Sequence, residues 1–141
     1  MPSELQVEAE HLGLMRIEAR AGGHRVRMDY PTQEGQDLQG FTPLQLLLAS
    51  LAGCAGNTLA LLLRRARQPL EGLSVRVHAR RRDEHPTVIT SVEMDFVCRG
   101  AGLDEAAVRR ALEEAEKSVC PVWAMLKPAV AVTARFSIEA A

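Results

Sequence analysis

Cys54, Cys98 and Cys120 are the side chains in this sequence best equipped for covalent chemistry. A cysteine thiolate attacks peroxides and disulfides and binds soft metals. A zinc site would need three or four ligands, normally with a close pair such as C-x2-C. The three cysteines stand tens of residues apart, and His11, His24, His78 and His85 form no close pair with them. No metal and no cofactor is therefore expected. Phosphate-cradling glycine loops, dinucleotide fingerprints and nucleophile elbows are also missing from the sequence. Cys98 ends the alternating run Met94, Phe96, Cys98 and reads as core. Cys54 sits in Leu51-Ala52-Gly53-Cys54-Ala55-Gly56-Asn57 and has two readings. It is either a small buried hydrophobe or a reactive thiol given room by the glycines around it. Cys120 precedes Pro121, where a helix N-cap would fall; unpaired N–H groups and the positive helix end would stabilise a thiolate there. The plainer alternative is an ordinary cap-region residue.

The elements that must hold these sulfurs follow from periodicity. Met15, Ile17 and Ala19 alternate with charged neighbours, as do Val26, Met28 and Tyr30. Ala21-Gly22-Gly23 between the two runs predicts a hairpin. Pro31 to Gly40 is polar and reads as a loop. Thr42-Pro43-Leu44-Gln45 is a helix start, with Thr42 as cap, proline at the first helical position and Gln45 completing a capping box. A charge-free helix from Pro43 to about Arg67 is expected, closed by Arg64, Arg65 and Arg67 where cations suit the dipole. Strands follow at Leu73–Arg80 and Val88–Cys98, with the polar turn Arg81 to Pro86 between them. Asp104 to Ser118 is an amphipathic helix, Val122 to Leu126 a short one after the Cys120-Pro121 break, and Val130 to Ile138 a last strand. The result is a single α+β domain over residues 1–141, with mainly antiparallel sheet.

The charge-free helix raises a membrane-spanning reading. Gln45, Ser50, Asn57 and Thr58 interrupt it, however, and amphipathic strands follow directly. A helix apolar on nearly every side is more simply one buried all round. A chain of 141 residues can scarcely surround it, so a homodimer with this helix at its centre is expected, and no membrane. Net charge is −1, from 17 basic and 18 acidic side chains, which gives no pull toward nucleic acid. Arg80 to Arg82 read as a solvated strand edge and turn. Met1 to Met15 has no basic segment followed by an apolar run, so a cytoplasmic protein is expected.

With these residues in view, the chain resembles the OsmC/Ohr family over nearly its whole length. Gly40-Phe41-Thr42-Pro43-Leu44-Gln45-Leu46-Leu47-Leu48-Ala49-Ser50-Leu51-Ala52-Gly53-Cys54 is similar to the family's G-x-x-P-x-E-L-L-L-A-A-L-A-G-C. Ser118-Val119-Cys120-Pro121-Val122-Trp123-Ala124-Met125-Leu126 resembles its Y-C-S-V-S-A-M-L. Glu84-His85-Pro86 and Gly102-Leu103-Asp104 fall where the family has an E-x-P turn and a G-x-x-L-D helix start. The resemblance implies an intertwined homodimer, with two long central helices wrapped by sheets and active sites at the subunit interface. It implies that Cys54 attacks an organic hydroperoxide, that Cys120 resolves the sulfenic acid as a disulfide, and that a dithiol reductant restores both. Family members usually carry a glutamate nine or ten residues before the first cysteine, orienting an arginine toward the thiolate. Those positions are Gln45 and Leu44 here. Gln45 can hydrogen-bond a guanidinium without bringing charge, or be spent on the capping box. Arg27 is the best positional match for the arginine, with Arg25 and Arg16 behind it.

Ionisation alone would not make such a site fast. A thiol of pKa about 8.5 is about 3% thiolate at pH 7, and a guanidinium lowering that pKa by about 2 units gives roughly 25-fold more. Intrinsic nucleophilicity falls about 8-fold over the same shift, leaving about a threefold gain. Alignment of the O–O bond and donors for the departing alkoxide must supply the rest. Leu47, Leu51, Trp123, Met125 and Leu126 near the two motifs predict an apolar pocket and a preference for organic peroxides over hydrogen peroxide. Two other functions use the same residues: a binding protein for a small apolar ligand with idle cysteines, and a thiol–disulfide oxidoreductase led by an exposed, acidic Cys120.

Overall fold

A computed structural model describes residues 3–140, which group into two compact units that divide between Leu48 and Ala49. The first unit is a three-stranded antiparallel sheet, β1 (Glu8–Gly13), β2 (Arg16–Ala21) and β3 (His24–Met28), in that spatial order. The predicted hairpin is present: Ala21 pairs with His24 around Gly22-Gly23, and Gly22 takes the φ of +61° that such tight loops require. Asp29 then organises the loop. Its buried carboxylate accepts the N–H groups of Tyr30 (2.8 Å) and Gln39 (3.0 Å), with Arg16 Nε at 3.5 Å. These amides, with the Arg16 charge beside them, hold the Asp29 carboxyl below its ordinary pKa. Gly40 passes so close to β3 that a Cβ would sit 2.2 Å from the Arg27 carbonyl oxygen; no other residue fits without moving backbone.

Helix α1 (Pro43–Arg65) starts in the first unit and continues through the second. Its capping box forms as expected: Gln45 Oε1 accepts the Thr42 N–H at 3.0 Å, and Thr42 Oγ1 accepts the Gln45 N–H at 3.2 Å. The helix ends two residues before the expected Arg67. Arg67 itself turns left-handed (φ 58°), its N–H bonding the Arg64 carbonyl at 3.0 Å while Gln68 N–H bonds that of Leu63 at 2.9 Å. That pair of bonds is a Schellman closure with arginine where glycine is usual. By length and composition α1 could cross a membrane, yet Leu51, Ala55, Gly56, Thr58, Leu59, Leu62 and Leu63 are buried within the fold.

The second unit holds the sheet β4 (Gly72–Arg81), β5 (Ile89–Arg99) and β6 (Ala131–Glu139), with β5 central. β4 and β5 pair antiparallel, but β5 and β6 run parallel. Parallel neighbours need a long crossover, and α2 (Glu105–Glu114), a π-helical turn (Ala115–Val119) and α3 (Pro121–Leu126) supply it. Asp104 caps α2 by accepting the Ala106 N–H, placing acid at the positive helix end. The core collects α1 residues Leu51, Leu59 and Leu63, the inward face of β5 (Val92, Met94, Phe96, Cys98), α2 residues Val108 and Leu112, and Trp123. Cys98 is fully buried on the strand face predicted for it, and burial raises its thiol pKa.

Candidate functional site

The two sulfurs singled out by the motifs meet. Cys120 Sγ lies 3.0 Å from Cys54 Sγ, in position to donate its S–H. A disulfide bond is about 2.0 Å, so roughly 1 Å of approach separates the thiol pair from the oxidised form. Cys54 is partly exposed on α1, in ordinary helical backbone, whereas Cys120 is 1% exposed. Gly56 allows α1 to sit on β4: a Cβ there would meet Val75 Cγ2 at 3.1 Å. Gly53 is different, with nothing within 4 Å of its would-be Cβ, so it leaves open space one residue from Cys54. Only one of the two glycines therefore makes room beside the thiol.

Cys120 sits at a joint between two helices. Its N–H reaches back five residues to the Ala115 carbonyl (2.9 Å), widening the end of α2 into the π turn. Its own backbone is extended (φ −76°, ψ 108°), as a residue before proline prefers, and Pro121 opens α3. Lys127 Nζ ties the far end of α3 back to the turn through the Glu116 carbonyl (3.4 Å) and carboxylate (4.0 Å).

The expectation of an acidic Cys120 is overturned. Its pKa is pushed up to about 11, first by burial and then by its hydrogen bond to Cys54. The amides of Trp123 and Val122 at the helix start pull the other way, but no capping hydrogen bond to the thiol forms. A position at a helix N-terminus stabilises a thiolate only if water or donors can replace its lost solvation. Here the sulfur is too deep.

The residues proposed to activate Cys54 have partners inside the N-terminal unit. Arg27 Nη2 lies 3.7 Å from Glu18 Oε2, Arg25 Nη1 3.7 Å from Glu18 Oε1, and Arg16 pairs with Asp29. Gln45 spends its carbonyl oxygen on the capping box. Of the residues expected to line an apolar pocket, Leu51 and Trp123 are buried in the core, whereas Leu47 and Met125 are exposed. Trp123 forms part of a groove of about 840 Å³ between α2 and β6, with Arg109, Glu113 and Phe136, and neither cysteine lines it. Asp29 was missed by sequence reasoning, since an aspartate in an alternating run reads as solvent-facing; nothing local signals its burial.

Known proteins place this arrangement. Residues 34–135 match the model of the OsmC-like protein family. Protein YhfA of Escherichia coli (strain K12) is 29% identical over 129 residues, covering 92% of this chain and 93% of that one. Among solved structures, a hypothetical protein from Aquifex aeolicus VF5 superposes with a TM-score of 0.88 at 21% identity, covering 99% of each chain. The organic hydroperoxide resistance protein OsmC of Legionella pneumophila superposes with a TM-score of 0.73 at 17% identity, covering 95% of this chain and 96% of that one. The two cysteine motifs, the fold that brings their sulfurs together and the family match over most of the length agree: the chain belongs to the OsmC-like family.

Proposed function

We propose that this protein is a thiol-dependent peroxidase of organic hydroperoxides, with Cys54 peroxidatic and Cys120 resolving. The observation that carries the reading is the sulfur pair: one accessible thiol in contact with one buried thiol at 3.0 Å. In the first step the Cys54 thiolate attacks the peroxide. An S–O bond forms as the O–O bond breaks, the sulfur is oxidised by two electrons, and the alkoxide takes a proton from water to leave as alcohol. Cys120 then attacks the sulfenic sulfur. The S–S bond forms, the S–O bond breaks, and hydroxide leaves with the Cys120 proton as water. A dithiol reductant returns two electrons and two protons. Val119 and Met125, exposed on either side of Cys120 in sequence, favour an apolar alkyl or aryl group on the peroxide. The burial and raised pKa of Cys120 argue against a thiol–disulfide oxidoreductase led by that residue.

The protein acts as a cytoplasmic homodimer, without membrane or nucleic-acid partners. The exposed line Gly53, Asn57 and Leu61 on α1 carries no charge, which supports a second copy covering that face. The test is thiol consumption by one equivalent of cumene hydroperoxide added to reduced protein, followed by mass mapping. Loss of two thiols per chain with a Cys54–Cys120 disulfide is expected. No reaction, or oxidation reaching Cys98 equally, would hand the function to a ligand-binding role. Equal efficiency with cumene hydroperoxide and hydrogen peroxide would remove the substrate preference.

A further inference from the structure

We propose that Cys120 has a second role before it resolves anything: its thiol donates a hydrogen bond that holds and activates the Cys54 thiolate. This deepens the peroxidase reading and rests on it for its place in turnover. The geometry is direct, with Cys120 Sγ placed to donate to Cys54 Sγ at 3.0 Å. The two sulfurs are unequal. Cys120 is 1% exposed and retains its proton to about pH 11, whereas Cys54 is partly open to solvent. Burial keeps the proton on Cys120, so its S–H faces the Cys54 sulfur. The amides of Trp123 and Val122 approach the Cys120 sulfur and polarise that S–H, making it a better donor.

The charged groups of the same unit leave this role open. α1 carries none between Pro43 and Leu63. On the π turn and α3 stand Glu116, Lys117 and Lys127, and Lys127 is paired with Glu116 at 4.0 Å. The charged residues of α2 are exposed, and Arg135 of β6 is paired with Asp95 of β5. The buried stretch of β5 offers Val92, Met94, Phe96 and Cys98, the last a thiol kept neutral by burial. On β4, against which Gly56 packs, Arg76, His78, Arg80 and Arg81 are exposed, and Cys120 Sγ is the group placed to donate to Cys54 Sγ at 3.0 Å.

The device also has timing. While Cys54 is a thiolate, it raises the Cys120 pKa through the hydrogen bond and its charge. Oxidation to the neutral sulfenic acid removes both influences. Cys120 then loses its proton more readily, at the moment when it must attack: the S–S bond forms, the S–OH bond breaks, and hydroxide takes up the proton as water.

The experiment is the pH profile of Cys54 alkylation by iodoacetamide, read by peptide mass mapping in wild type, Cys120→Ala and Cys120→Ser, with no peroxide present. The expected result is a midpoint about one pH unit higher in Cys120→Ala, roughly tenfold less thiolate at pH 7. Cys120→Ser keeps a donor hydroxyl and restores most of the shift. Equal midpoints in wild type and Cys120→Ala overturn the proposal, as does a serine variant that behaves like alanine. Unchanged circular dichroism in the serine variant separates rescue from misfolding. Failure of the peroxidase reading shows elsewhere, as no sulfenic acid in Cys120→Ser after cumene hydroperoxide.

Discussion

Cys54 and Cys120 touch, yet the backbones that deliver them are built on different terms. Cys54 rides a 23-residue helix closed at both ends, by the reciprocal Thr42–Gln45 bonds and by the Arg67–Gln68 closure. Cys120 sits where α2 loosens into a π turn, the chain extends for one residue and Pro121 starts again. The regular mount presents its sulfur partly to solvent; the irregular one buries it. The difference teaches that access outweighs helix electrostatics in ordering these thiols. Partial charge at a helix N-terminus contributes about 0.3–1 kcal/mol, up to about 2 when partly buried. Desolvation of a buried ion costs more than that, and the Cys120 thiol pKa rises despite the amides beside it.

Substitution at the two mounts gives the largest expected contrast. Cys54→Ser should bring cumene hydroperoxide consumption down to the uncatalysed background. Cys120→Ser should still consume about one equivalent, slowed only by the small change in thiolate fraction, and then stall unless excess dithiol reduces the sulfenic acid directly. A stopped-flow peroxide assay under single-turnover conditions reads both. If Cys120→Ser lost the first equivalent and Cys54→Ser kept it, the order of the two sulfurs would be reversed.

Alkylation of the unoxidised protein comes next in size. At pH 8 a thiol of pKa about 11 is roughly 0.1% ionised, against roughly a quarter for an ordinary cysteine. Cys120 should therefore react on the order of a hundredfold more slowly than a free thiol, with its rate rising about tenfold per pH unit until about pH 11. Because the shift is upward, raising the pH releases the thiolate and lowering it suppresses it. Peptide mass mapping after timed iodoacetamide exposure would show Cys54 modified first. Early labelling of Cys120 would mean that the joint opens readily and that its burial does not govern its chemistry.

The regular mount was far more legible than the joint. Thr42, Pro43 and Gln45 announce the start of α1 because capping is a contact between residues three apart, and the structure reproduces it bond for bond. The end of α1 was less visible, since Arg67 takes a left-handed turn that glycine ordinarily marks. Pro121 gave away the break at Cys120, but nothing in the local sequence encodes how deeply that cysteine sits. Burial is a property of what packs around a residue, and here the local cue to an acidic thiol led to the opposite of what the fold does. The parallel pairing of β5 with β6 was implicit in the order strand, helix, strand, although the alternating runs alone suggested antiparallel neighbours. The meeting of Cys54 and Cys120 could not be read from spacing at all; family resemblance alone implied it.

The smallest effect tests whether the regular mount is only a mount. Thr42→Ala removes one half of the capping box, leaving the Gln45 N–H without its hydroxyl acceptor. Loss of an N-cap side chain costs about 1 kcal/mol, so a lowered urea midpoint with an unchanged slope is expected. The cap lies three turns of helix from Cys54, and fraying is confined to the first turn of a helix held by tertiary packing. Leu51, Ala55 and Leu59 are fully buried around the cysteine and keep that stretch in place. The alkylation midpoint of Cys54 should therefore stay where it is in wild type. A midpoint that moved with the cap would show that α1 transmits its end to its middle. The two sulfurs would then be tuned from both mounts, and not from the joint alone.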